Sequence, residues 1–397
     1  MKIKKLLVLL VLVSLGISGC NNFKSIKQGE DNEIIQGMQL PGEDVSKESK
    51  RIAEYYLKIY NQAVNDGTLG NLDTVKKIVK CLGDAGYTVI DCKNEVDMVN
   101  PDKVVEFVGH IEKKEDAEFT ILCVMDNGGF IRYDFETAEG NLEVVQSTLS
   151  WNGKMPEVNN KTEYPAYTWA YSENGYLFFE QYHMPGICLG HTAIRMQALD
   201  ETCRELNRKY IQPIGYSINN MFISDWSEAD YQNLNFYDLY DIMYLMKYER
   251  YVPYESTNDG VIYEIPKYEF EDVLMTYFSI EDQALQEKTT YHKESSTYEY
   301  RPRGFYDCGP GMEMPYPEVI SYEDNQDGTI TLTVNAVWRE EKLARAFSHE
   351  VVIRPLADGG FQYVSNHIIP SDDNVVPRWY TDRMTNEEWE EYYGGME

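Results

Sequence analysis

The sequence predicts an α+β protein in which helices are followed by antiparallel meanders, and in which this order occurs twice. Apolar residues recur at helical spacing early in each half and then alternate with polar residues, which is the period of a half-buried strand. Turn sequences such as Asn-Gly at 174–175 and Asp-Gly at 327–328 separate the alternating runs, as in β-hairpins. We expect two α+β domains, over residues 46–184 and 251–370, joined by a helical connector over 185–250.

The N-terminal domain is expected to contain three helices and then a curved sheet. Ser46 or Ser49 can cap the first helix, and apolar residues at helical spacing predict a second helix over residues 73–84. Pro101 suits the first position of a third helix. The glycine-rich turn at 127–129 then begins the meander.

In the connector, residues 191–209 have the composition of one long helix. A second helix is predicted by a stripe at helical spacing, which comprises Phe236, Leu239, Tyr240 and Met243.

The C-terminal domain repeats the order of helix and meander. Pro266 marks a helix start, and the residues from 330 to 338 alternate as in a half-buried strand. Two more strands flank the turn at 358–360. A helix followed by such a meander resembles the cone-shaped folds of the nuclear transport factor 2 and cystatin types, a resemblance that implies shape and no function. In the acidic tail, 371–397, Thr385 and Glu388 fit a capping box.

The first residues have the order of a lipoprotein signal. Three lysines precede an apolar run over residues 6–13, which is too short to span a bilayer as a helix. The sequence ISGC at 17–20 follows and resembles the bacterial lipobox. That resemblance implies a signal peptide over 1–19 and acylation of Cys20 by a diacylglycerol with fatty acids such as palmitate. Residues 20–45 are polar, so we expect a flexible tether to the outer face of the cell membrane.

The chain is strongly acidic. Its 397 residues include 36 basic and 66 acidic side chains, which gives a net charge of −30. Loss of residues 1–19 makes it −33, because three lysines and no acidic residue leave. Such a surface repels the phosphates of nucleic acids and of anionic lipids. We therefore expect no nucleic-acid partner, and membrane contact through the lipid on Cys20.

Six cysteines remain once Cys20 is assigned to the lipid, namely Cys81, Cys92, Cys123, Cys188, Cys203 and Cys308. They are widely spaced and form no CxxC pair, so free thiols and one or two disulfides both fit the sequence.

No GxSxG, HExxH or Walker A motif occurs, and we expect no cofactor. The first candidate site comprises His183, Cys188 and His191, which are suitable zinc ligands. A fourth ligand is missing from the pattern. A plain loop between a strand and the predicted helix at 191 is the favoured explanation of these residues, so no metal is assigned.

The second candidate site is a histidine pair. If the turn at 358–360 is a three-residue loop, residue 349 faces 369 and 351 faces 367. His349 and His367 would then be diagonal neighbours on one face, roughly 7–8 Å apart. On the pocket side of a cone-shaped sheet such a pair could transfer protons. The alternative is a pair of ordinary core histidines.

Aromatic residues are abundant, with 32 tyrosines. Exposed rings can stack on sugars or peptides of the cell wall, whereas buried tyrosines are simply favoured strand residues.

Four segments between residues 225 and 370 carry a family resemblance: IPKYEFEDVLMTYF, YPEVISYEDNQDGTITLTV, FSHEVVIRPL and GFQYVSNHI. With the lipobox, they make the chain similar to a family of uncharacterised lipoproteins of clostridia-like Gram-positive bacteria, domain of unknown function 6070. The resemblance implies attachment to the outer face of the membrane and supplies no catalytic residues.

These observations favour a non-enzymatic surface module that binds a cell-envelope protein or glycan. The alternative is a cell-wall-directed hydrolase that uses acidic or histidine residues in a sheet pocket. A solute-binding protein of a transporter ranks last, because those folds need alternating βαβ units.

Overall fold

A computed structural model of the chain describes residues 24–27, 43–172, 174–182, 190–308 and 312–394. Helices and mostly antiparallel sheets alternate in it, which confirms the α+β class. The helices are α1 (Glu43–Asp66), α2 (Leu72–Asp84), α3 (Asp102–Lys113), α4 (Glu201–Leu206), α5 (Phe236–Tyr248), α6 (Lys267–Tyr277), α7 (Asp282–Glu287) and α8 (Asn386–Tyr393). No helix within this part of the chain combines the length and the apolar character needed to cross a membrane.

The first sheet begins with one parallel pair and continues as an antiparallel meander. Its strands are β1 (Lys24–Lys27), β2 (Thr88–Asp91), β3 (Ala117–Val124), β4 (Phe130–Ala138), β5 (Asn141–Asn152), β6 (Met155–Ser172), β7 (Tyr176–Gln181) and β8 (His191–Arg195). Strands β2 to β8 lie in sequence order, and β1 pairs with β6. The hairpin turns predicted at 127–129 and 174–175 are confirmed.

Helices cover both faces of the early strands. Side chains of α1 and α2 pack with Val89, Leu122 and Val124, whereas side chains of α3 pack with Ile90 and Ile121 on the opposite face. Neighbouring residues of one strand therefore belong to different cores, because the side chains of a strand alternate between its two faces. Helix α1 begins at Glu43, ahead of both serines that were predicted to cap it.

The second half contains two smaller sheets. One comprises β10 (Tyr263–Pro266), β11 (Tyr291–His292) and β12 (Thr297–Tyr300). The other comprises β9 (Trp226–Ser227), β13 (Tyr316–Asp324), β14 (Ile330–Val337), β15 (Ser348–Pro355) and β16 (Phe361–Ile368). Helices α5 and α6 share one core with this five-stranded sheet. The predicted turns at 327–328 and 358–360, and the helix start after Pro266, are confirmed.

The single helix predicted over 191–209 is wrong at its start. Residues 191–195 form β8, which pairs with β7, and the helix begins only at Glu201. Asp200 caps it by accepting a hydrogen bond from the Thr202 amide, and this cap is the signal that fixes the true start. The segment over 185–250 thus supplies β8 to the first sheet and β9 to the five-stranded sheet.

Apolar and ionic contacts join the two halves. Tyr176 and Phe178 of the first sheet pack against Val337 of the second. Beside them, buried Arg195 donates to the carboxylate of Glu318, which also accepts a hydrogen bond from the Tyr176 hydroxyl at 2.6 Å. Because a buried charge is costly unless it is paired, this ion pair favours one relative position of the two halves.

Four of the six cysteines other than Cys20, namely Cys81, Cys92, Cys123 and Cys203, are free thiols. Cys188 lies outside the described residues.

Candidate functional site

His349 lies in the filled core of the five-stranded sheet. It is fully buried, with Nε2 accepting a hydrogen bond from the Tyr216 hydroxyl at 2.8 Å and Nδ1 donating to Asn366 Oδ1 at 2.6 Å. The Asn366 amide nitrogen donates to the Ser224 carbonyl, which assigns Oδ1 as the acceptor and the imidazole proton to Nδ1. Burial lowers the pKa of His349 to about 4, although the bond to Asn366 opposes the shift.

The prediction that His349 and His367 are neighbours on one face is wrong. Val364 is an extra residue in β16, and this bulge moves the register against β15 by one. Glu350 therefore lies opposite His367, and the two histidines are on opposite faces. His367 is exposed, with Nδ1 3.2 Å from Asp225.

The face that was predicted to line a pocket is instead a packed core. Buried with His349 on that face are Phe347, Val351, Ile353 and Tyr363.

His191 begins β8 between two carboxylates. Its Nδ1 is 2.9 Å from Glu313 and its Nε2 is 3.6 Å from Glu180, which also accepts hydrogen bonds from Thr168 and Lys342. Burial disfavours the charged ring, but the two carboxylates outweigh burial and raise the pKa of His191 to about 9. Burial opposes ionisation of Glu180 as well, yet its hydrogen bonds lower its pKa to about 2. His191 is thus part of an ion-paired cluster between the halves.

The remaining predicted site residues, His183, Cys188 and Cys20, lie outside the described residues, together with the signal peptide and most of the tether. The zinc site and the lipid anchor therefore stay predictions.

A cleft of about 400 Å³ lies between the start of α5 and the C-terminal segment. A smaller cavity of about 50 Å³ shares Tyr237, Arg383 and Met384 with it and extends to Trp389. We call the two cavities together the C-terminal cleft. Its polar and aromatic wall includes Asn220, Asn233, Asn235, Lys288, Tyr380 and Asn386.

A buried carboxylate holds the C-terminal segment on the body of the protein. Asp238 of α5 accepts two hydrogen bonds from Arg303, at 2.8 and 2.7 Å, and two from Arg383, at 3.1 and 2.8 Å. Since two guanidinium groups share one fully buried carboxylate, residue 383 is fixed where it lines the cleft. Asp241, one helical turn on, is 3.6 Å from Arg383.

Helix α8 follows directly and carries three rings. The predicted capping box is confirmed, with the Glu388 amide donating to Thr385 Oγ1 and the Thr385 amide donating to the Glu388 carboxylate. Trp389, Tyr392 and Tyr393 recur at i, i+3 and i+4, so they share one face of the helix. Tyr393 is buried against the body.

Exposed aromatic rings lie on this helix and on the segment of the body next to it. Phe305, Tyr306 and Tyr392 are 79%, 47% and 47% exposed. Tyr306 stacks on Tyr392 with ring centroids 5.1 Å apart, and Phe305 meets Tyr306 edge-on at 5.5 Å. We call these three residues the aromatic surface. Because apolar rings in water favour association with another apolar face, this group is the candidate binding surface.

The aromatic surface adjoins the smaller cavity of the cleft. Trp389 lies in the cavity wall with the Arg301 guanidinium 4.6 Å from its ring centre, and it contacts Tyr393 at 5.3 Å. Tyr393 in turn meets Tyr306 at 5.4 Å. A ligand with an apolar face and hydroxyl or amide groups would find rings and polar side chains side by side here.

Sequence reasoning noticed the number of aromatic residues but not these rings. Residues 305–306 and 389–393 are far apart in the sequence, and only the packing of α8 against the body brings them together. The available signal was the aromatic segment WEEYY behind the capping box.

The comparisons with known proteins give one match. The model of a family of unknown function (DUF6070) matches residues 42–383, which includes most of the C-terminal cleft and ends before α8. No curated protein and no solved structure matches the chain. The resemblance to DUF6070, noted over residues 225–370, is thus confirmed over a longer range that begins one residue before α1, and the chain belongs to the DUF6070 family of unknown function.

Proposed function

We propose that this protein is a lipid-anchored, extracytoplasmic binding module that recognises a glycan of the cell envelope. The aromatic surface beside the C-terminal cleft is the observation that carries the proposal. Each sugar ring has an apolar C–H face and a rim of hydroxyl groups, so it suits an aromatic ring with polar side chains next to it.

Charge favours a neutral ligand. The expected mature chain carries −33, so an anionic wall polymer would be repelled at long range. N-acetylglucosamine is uncharged, and its amide group suits the asparagines of the cleft wall.

The anchor supports the same assignment. A lipid on Cys20 would hold the folded body at the outer membrane face, within reach of wall glycans through the predicted tether. The alternative is a cell-wall-directed hydrolase that uses acidic or histidine residues in a sheet pocket. The burial of His349 in a filled core and its separation from His367 count against the histidine form of that alternative.

Binding to insoluble peptidoglycan and to soluble β-1,4-linked N-acetylglucosamine oligomers tests the proposal. We expect the purified chain to cosediment with peptidoglycan and the oligomers to change its tryptophan fluorescence, since Trp389 lines the cleft. Tyr306→Ala and Tyr392→Ala should each weaken binding by roughly tenfold, the loss of about 1.4 kcal/mol expected for one stacked ring.

Tyr251→Ala is the matched control, because Tyr251 is another highly exposed tyrosine outside the aromatic surface. It should leave binding unchanged. Equal binding by all variants, or no binding to either glycan, would overturn the proposal.

A further inference from the structure

Three side chains with metal-ligating groups lie together on the small sheet formed by β10, β11 and β12. Glu264 of β10 faces Glu299 of β12 directly, and His292 of β11 lies beside them. One ligand atom from each residue can be chosen so that all three lie within 4.8 Å of one another. His292 Nδ1 is 3.1 Å from Glu264 Oε1, and its Nε2 is 3.7 Å from Glu299 Oε2.

Each carboxylate has one oxygen held by a neighbouring side chain and the other turned to the histidine. Thr297 Oγ1 donates to Glu264 Oε2. Arg301 Nε donates to Glu299 Oε1 at 3.0 Å. Outer hydrogen bonds of this kind orient ligands in metal sites. They leave Glu264 Oε1 facing His292 Nδ1 and Glu299 Oε2 facing His292 Nε2, so the imidazole must turn one nitrogen toward both carboxylates when a single ion binds.

Two glutamates lie opposite each other on paired strands, so a positive charge between them would be stabilising. Like charges directly opposite each other destabilise an antiparallel pair. A divalent cation held between the two carboxylates would offset this repulsion. Arg301 already pairs with Glu299 Oε1 and offsets part of the repulsion, and a divalent cation would also neutralise Glu264.

We propose that Glu264, His292 and Glu299 bind one divalent transition-metal ion, with Zn²⁺ preferred. One imidazole nitrogen and two carboxylate oxygens match the ligand types of zinc, whereas Ca²⁺ takes six to eight oxygens and Mg²⁺ favours oxygen ligands in octahedral geometry. Zinc bonds of about 2.0–2.2 Å require the three groups to draw together. His292 and Glu264 are exposed and can make that adjustment, and water completes the coordination.

This inference is independent of the proposed glycan binding, although Glu299 also lines the smaller cavity of the cleft. Its test needs no glycan. The purified full chain is stripped of metal with a chelator and titrated with Zn²⁺ by calorimetry at neutral pH. We expect one equivalent to bind, and His292→Ala and Glu264→Gln to weaken binding by at least ~10-fold.

Two controls separate this site from other metal-binding groups. His367→Ala removes another exposed histidine beside a carboxylate and should leave the Zn²⁺ affinity unchanged. Cysteines such as Cys92 could also bind zinc, so the titration is repeated with Co²⁺, whose spectrum shows a thiolate charge-transfer band only with sulfur ligands. Absence of saturable binding, equal affinity in His292→Ala, or a thiolate band from the single equivalent would overturn the inference.

Discussion

Gly304 and Tyr393 meet with no space for a methyl group between them: a Cβ on residue 304 would lie 2.3 Å from the Tyr393 hydroxyl oxygen. Gly260 allows a similar approach, since its Cβ would lie 2.7 Å from atoms of Trp389 and of Tyr393. Helix α8 therefore packs directly against two glycines. The aromatic surface depends on this packing, because Tyr392 belongs to α8 and Tyr306 to the body.

Replacing Gly304 by alanine should displace α8. The backbone at this position is extended, with φ −113°, so the added methyl group acts only through its contact with the Tyr393 ring. We expect a loss of about 1–3 kcal/mol in the free energy of unfolding, from overpacking of a buried ring. Urea unfolding measures the loss, and the affinity for N-acetylglucosamine oligomers should fall with it.

Gly109→Ala is the control for that substitution. Apart from its own helix backbone and chain neighbours, a Cβ at residue 109 of α3 would have no heavy atom within 4 Å. Alanine is favoured over glycine inside a helix by about 1 kcal/mol. This variant should be as stable as the parent chain or more so. A Gly304→Ala protein with unchanged stability and glycan affinity would show that α8 does not need the close contact.

Arg383→Met should destabilise the protein by about 3 kcal/mol, because it leaves the buried carboxylate of Asp238 with Arg303 as its remaining guanidinium partner. The C-terminal segment should also become more accessible to proteases. Arg378→Met removes an exposed arginine that pairs with Glu341, and it should change stability by less than ~1 kcal/mol. Equal effects of the two substitutions would contradict the assigned role of Asp238.

The free energy of unfolding should depend on pH through the protonation of His349. The pKa of His349 is about 4 in the folded chain and about 6.5 when unfolded, so the unfolded state binds more protons between these values. The contribution of His349 is thus fully present above pH ~6.5, and ~3 kcal/mol of it is lost as the pH falls to ~4.

The effect is measured as the difference in free energy of unfolding, at each pH, between the parent chain and His349→Gln. The glutamine side chain does not titrate. The difference is needed because burial raises the pKa of Asp241 to about 6, and this carboxyl shifts stability in the opposite direction over the same range. Parallel pH curves for the two proteins would rule out a neutral, buried His349.

Cys20→Ala should release the protein from the membrane. Acylation of the Cys20 thiol is the predicted anchor. Fractionation of cells fed with a palmitate analogue reports both membrane attachment and label. Cys92→Ala, which alters an exposed cysteine of the folded body, should keep both. Membrane-bound, labelled Cys20→Ala protein would disprove the lipobox assignment.

Features encoded by neighbouring residues were predictable. The turn at 327–328, the start of α6 after Pro266 and the capping box of Thr385 follow from dihedral preferences and from hydrogen bonds a few residues apart. The failures involve competition between distant partners. Residues 191–195 suit a helix or a strand locally, and pairing with β7 decides for the strand.

The sequence by itself determined the α+β class, the family and the acidic charge, and it predicted lipid attachment at Cys20. Each of these depends on composition or on short sequence motifs. Only the tertiary structure decided which side chains meet. A single extra residue in β16 separated His349 from His367, because side chains alternate faces at every position of a strand. The seating of α8 on Gly260 and Gly304 brought Tyr392 to Tyr306, and the pairing of β10, β11 and β12 brought His292 to Glu264 and Glu299. Such contacts join residues of separate helices and strands, so local patterns do not specify them.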